Sequence, residues 1–115
     1  MQPGNYTLVV QQGFACTRRF GLKKKDGTPF DLTGWTGQAQ IRTTYSSKKV
    51  LAAAEVTIDG SPTDGILTIV FADDDTATLP TAGRSVWDLK IMKDPASKRL
   101  IKGDVVVEAE VSRDE

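Results

Sequence analysis

An all-β fold, an immunoglobulin-like antiparallel β-sandwich of about seven strands with one short helical turn near residues 73–79, is what this sequence predicts. Three observations point to it. Apolar and polar residues alternate with period two almost throughout. Clusters of Gly, Pro, Asp and Ser interrupt that alternation about every eight to fifteen residues. Only one stretch, Asp73-Asp74-Asp75-Thr76-Ala77-Thr78-Leu79-Pro80, reads as helix, because acidic residues complement a helix amino end and Pro80 stops it.

Taken in order, Tyr6, Leu8 and Val10 alternate with Thr7 and Val9 until Gln11-Gln12-Gly13 breaks the run. Phe14, Cys16, Phe20 and Leu22 share the next parity, with Arg18 as the exception. A Lys-rich loop, Lys23 to Pro29, carries an Asp26-Gly27 turn signal. The stretch FDLTGWTG, Phe30 to Gly37, is then a corner: Asp31 hydrogen-bonds the backbone around Thr33, Gly34 takes positive φ, and Trp35 is expected to enter the core. Trp35, Gly37, Ala39 and Ile41 face one way from there, and Gln38, Gln40 and Arg42 the other. Tyr45 to Lys49 is a polar hairpin tip, followed by Ala54, Val56 and Ile58 and by a turn-rich loop from Asp59 to Gly65. Leu67, Ile69 and Phe71 define the next strand, and Trp87, Leu89 and Ile91 another, before the tight connection Asp94-Pro95-Ala96-Ser97. In the last run Ile101, Val105, Val107, Ala109 and Val111 oppose Lys102, Asp104, Glu108 and Glu110. Val106 alone breaks it.

Strands with one apolar face suit two antiparallel sheets packed face to face, with a closed barrel as the alternative. The 115 residues form a single domain, 1–115, that buries roughly 65% of its unfolded surface. No apolar run approaches the ~18 residues of a spanning helix, so no membrane partner is expected. The start, Met1 to Asn5, lacks a basic segment followed by an apolar one, so no secretory signal is expected either.

Composition narrows the chemistry. Fifteen Lys and Arg balance fifteen Asp and Glu, so no global field favours nucleic acid. Cys16 is the only cysteine and there is no histidine, which removes internal disulfides, Cys/His zinc sites and the usual nucleophile–base pairs. No catalytic, cofactor-binding or metal-ligating residue is therefore nominated, and no enzyme is expected. The Asp73–Asp75 run lacks the spacing of a calcium loop and reads as a helix start. Lys23-Lys24-Lys25, Lys48-Lys49, Arg18-Arg19 and Lys98-Arg99 read as solvated charge, since Phe14, Phe20 and Trp35 have core parity rather than interleaving with them. Cys16 reads as a small core residue, and Trp35 and Trp87 as core indoles. Asp88 is expected to pair with a cation across the strands.

Several of these segments in succession carry a likeness. Pro29-Phe30-Asp31-Leu32-Thr33-Gly34-Trp35, Ala39-Gln40-Ile41-Arg42, Asp64-Gly65-Ile66-Leu67-Thr68-Ile69, Val86-Trp87-Asp88-Leu89-Lys90-Ile91 and Gly103-Asp104-Val105-Val106-Val107 resemble small β-sandwich structural proteins of tailed bacteriophages. That family includes amino-terminal domains of upper baseplate and tail-fibre proteins and stand-alone minor tail or neck proteins. The likeness covers nearly the whole chain through short structural motifs, with Trp where Tyr is common in the corner. It implies a structural virion component that joins fibres or rings in tail, neck or baseplate, made in the host bacterial cytoplasm. Its implied partners are other virion proteins, with multiple copies in a symmetric assembly and no catalytic residues. The end at Arg113-Asp114-Glu115, without a fibre-forming extension, favours a stand-alone adaptor. Unpaired sheet edges would recruit neighbours by strand addition. The alternative is a carbohydrate-binding sandwich for host-surface recognition through an exposed Trp.

Overall fold

Period-two alternation places the apolar side chains of each strand on one face, and those faces meet in one core. The computed structural model describes residues 4–81 and 85–109. Its strands are β1 (Gly4–Asn5), β2 (Leu8–Gln11), β3 (Cys16–Gly21), β4 (Thr36–Arg42), β5 (Ala52–Ile58), β6 (Ile66–Phe71), β7 (Ser85–Lys93) and β8 (Ala96–Glu108). A 3-10 turn spans Pro62–Asp64, and the expected short helix is α1 (Asp73–Ala77).

The fold is all-β and has two layers. One contains β1 and β2 against β8, then β7, β4 and the first part of β5; the other contains the rest of β5, β6 and β3. Strand β5 belongs to both, pairing with β4 through Ala52–Ala54 and with β6 through Glu55–Ile58, so the sheet curls over continuously. The orders β4-β7-β8 and β3-β6-β5 match the two halves of an immunoglobulin sandwich.

In one respect the architecture differs from an antiparallel sandwich: it is mixed, because β1 and β2 run parallel to β8. The turn after Gln11 carries the chain across to the other layer, so β2 has no hairpin partner and docks on the free edge of β8.

The core holds Leu8 and Val10 of β2, Cys16 of β3, Ala39 and Ile41 of β4, Leu67, Ile69 and Phe71 of β6, and Trp87, Leu89 and Ile91 of β7. Each lies on its expected parity. At the corner, the Thr33 N–H and hydroxyl donate to Asp31 Oδ1 at 2.9 and 2.6 Å, Gly34 has φ of +79°, and the Trp35 N–H donates to the Leu32 carbonyl. The stretch is thus a corner. The residue it drives fully inside is Leu32, 0% exposed, whereas Trp35 is half-buried against the core rim. The reason is position: Trp35 precedes β4 by one residue and lies at the end of the sandwich, beside Phe30.

Phe14 also departs from its expected parity. It sits in the turn between β2 and β3, where its N–H donates to the Gln11 carbonyl, and is 54% exposed. In β8 a register shift opposite Leu89 and Lys90 inserts Leu100 as an extra residue, which turns into the core. Strict alternation assigns that place to Ile101 alone. Val111 and Glu110 lie outside the described residues.

Candidate interaction surfaces

The short α1 begins with three carboxylates, but its N-cap is Ala72 and no side chain caps it. Asp73 instead accepts the Asp74 N–H at 2.8 Å, and the carboxylates act on the amino end through their charge. Among the described residues no three His, Cys, Asp or Glu side chains gather as they would around a metal ion. What anchors the helix is Thr76, fully buried. Its hydroxyl accepts the Gly13 N–H at 3.2 Å and donates to the Phe14 carbonyl at 2.8 Å, tying α1 to the β2–β3 turn. Period-two reading gives no signal for such a hydroxyl.

Cys16 is buried, and that burial pushes its thiol above the usual range, with Arg18 acting weakly in the opposite direction. A thiolate is the reactive form, so this environment disfavours nucleophilic use. Trp87 is 1% exposed and edge-packed on Tyr6, stacked with Phe20. Both indoles are thus held by packing, Trp87 in the centre and Trp35 at the rim.

Within the basic segments Arg18, Arg19 and Arg99 are engaged by neighbouring groups. Arg18, the parity exception, points inward at the edge of β3 and donates to the carbonyls of Val9 and Thr17, each at 2.8 Å. Its guanidinium thereby links the edges of the two layers. Arg19 pairs with Asp59 at 3.2 Å. Arg99 pairs with Asp88 at 3.2 Å, the cross-strand pair expected for that carboxylate. On the same solvent-facing side Tyr45 lies across the sheet, its hydroxyl donating to the Gly103 carbonyl and its ring beneath Arg99 and Lys102. Desolvation and the neighbouring Asp104 raise the Tyr45 phenol above its ordinary value. Hydrogen bonds from Thr28 and Thr33 hold Asp26 and Asp31 below the usual carboxylate range, with nearby Lys24 acting in the same direction on both.

Two surfaces stand out. The first is apolar: Val9 and Val106 are register partners across the parallel β2–β8 pair and both face solvent, 41% and 47% exposed. A shallow groove of about 170 Å³, lined also by the polar Gln11 and Arg18, joins Val9 to the exposed Phe14. The second lies at the end of the sandwich, where the Lys98 ammonium stands over the rings of Phe30 and Trp35, 5.4 and 6.0 Å from their centroids. Val106 was visible in the sequence as the break in the last run, whereas the Lys98–Phe30–Trp35 group joins segments far apart in the chain. No protein-family model matches this chain, and comparison with curated proteins finds no significant match.

Proposed function

We propose that this chain is a non-enzymatic structural component of a tailed bacteriophage particle, an adaptor or minor tail protein present in several copies in the tail, neck or baseplate. The observation that carries the reading is the Val9–Val106 pair with Phe14 beside it. The solvent-facing side of a sheet ordinarily carries polar residues, and an outward apolar pair at the edge strand β2 supports burial against another protein. The reactive inventory supports the same reading: the one thiol is buried and the aspartates singled out are engaged in turns, a helix start or ion pairs. The motif succession through the corner, the strand entry at Asp64-Gly65 and the Trp87-Asp88-Leu89 strand supplies the link to phage structural proteins.

The test is physical association. Mass spectrometry of purified virions from the source phage is expected to detect the polypeptide at a stoichiometry of several copies per particle, and its absence from intact particles would overturn the proposal. The sugar-binding alternative requires an open indole face. Trp87 is enclosed and Trp35 has Lys98 over its ring, so the geometry supports it less.

A further inference from the structure

A groove of about 340 Å³ lies between the end of β3 and the middle of β8. Its composition is divided. Leu22, Phe30 and Leu100 are half-buried or buried and form an apolar floor, while Lys23, Lys24 and Lys25 are exposed at the rim. No acidic residue lines it. None of the three lysines makes a close ion pair among the described residues; the nearby Asp26 carboxylate accepts the Thr28 N–H and hydroxyl at 2.9 and 2.6 Å and feels Lys24 at longer range. Lys98, held over the Phe30 ring, adds a fourth cation beside the floor.

We propose that this groove is a docking site for an acidic, extended polypeptide segment of another protein, carrying an aliphatic anchor residue flanked by Asp or Glu. Charge complementarity identifies the occupant: Lys23, Lys24 and Lys25 rim a small apolar depression that no acidic residue lines, and only Lys24 of the three acts on nearby carboxylates, those of Asp26 and Asp31. An apolar anchor would supply burial on Leu22, Phe30 and Leu100, and the flanking carboxylates would meet the lysines and set the register. Single-stranded nucleic acid fits less well. Base stacking needs free aromatic faces, and the one ring lining the groove, Phe30, has Lys98 over it, while the rest of the floor is aliphatic. This site is separate from the Val9–Val106 surface and holds for whatever particle the chain serves.

The probe is a fluorescein-labelled ten-residue peptide of Glu and Asp around one central Leu, titrated with the full chain in fluorescence anisotropy at low salt. Binding is expected that weakens as salt rises, by about tenfold or more in Lys24→Glu/Lys25→Glu, and substantially when the peptide Leu becomes Ser. Both lysines are exposed, and an unchanged thermal melt shows that the variant still folds. NMR shifts on binding should fall on Leu22, Phe30 and Leu100. The proposal is overturned if the peptide fails to bind, if the charge-reversed variant binds it equally, or if oligothymidylate binds as tightly at the same sites.

Discussion

The indole Nε1 of Trp87 donates a 2.8 Å hydrogen bond to the main-chain carbonyl of Tyr6, between β1 and β2. This bond fastens the connection between β1 and β2 to β7. Opposite Trp87 in the register stands Gly103, whose missing side chain leaves room for the Tyr6 backbone to cross. Trp87→Phe keeps most of the apolar volume but leaves the carbonyl without its donor, so a loss of about 1–3 kcal/mol is expected. Trp87→Ala adds a cavity and should cost about 3–5 kcal/mol. Urea unfolding checks both, and a Phe variant within about 0.5 kcal/mol of the parent would show that the bond adds nothing.

Gly37 of β4 packs tightly against Val56 of β5. A Cβ there would overlap Val56 Cγ1 from the facing layer. Gly37→Ala should therefore destabilise by about 1–3 kcal/mol. The double variant Gly37→Ala/Val56→Ala should recover part of that loss, giving a coupling energy of at least about 0.5 kcal/mol in a double-mutant cycle. Strictly additive costs would place the effect elsewhere.

Thr76 serves two main-chain groups of another segment. Thr76→Val preserves shape but strands the Gly13 N–H and the Phe14 carbonyl, for an expected loss of about 1–3 kcal/mol. Thr76→Ser keeps the hydroxyl and should lie much nearer the parent. Amide exchange at Gly13 provides a local readout, faster in the Val variant and little changed in the Ser variant.

Two turn carboxylates, Asp31 in the corner and Asp26 in the lysine-rich loop, give a pH dependence of known sign. Asp31 and Asp26 have folded-state pKa values below their ordinary ones, chiefly through the Thr33 and Thr28 hydroxyls. Their contribution to stability is therefore fully present above the unfolded carboxylate range and is lost as pH falls through the depressed folded values. Carbon-13 NMR titration should show the Asp31 carboxyl titrating low, and Thr33→Val should move it back up. Unmoved titration in that variant would refute the assignment of cause.

Parity arguments work where a strand has one wet face and one dry one, and so Leu67, Ile69 and Phe71, and Trp87, Leu89 and Ile91, could be assigned from their spacing. Their partners could not, since period two says which side a residue faces but not which strand lies beside it. The parallel docking of β2 on β8 is of that kind. Phe14 and Leu100 escaped for a related reason: a turn and a bulge each shift the phase, and neither leaves a composition signal at those residues. For the surfaces, Val106 was legible as an apolar residue out of phase. The lysine-rimmed groove was not, because Lys23–Lys25, Phe30 and Leu100 meet only after folding.

Arg18 breaks the apolar parity of β3, and its guanidinium spans from that strand to the Val9 carbonyl of β2. A half-buried guanidinium on the inward parity of a border strand makes it a poor template for a foreign strand. Edge-to-edge zipping of copies into open-ended fibrils is thus disfavoured along β3.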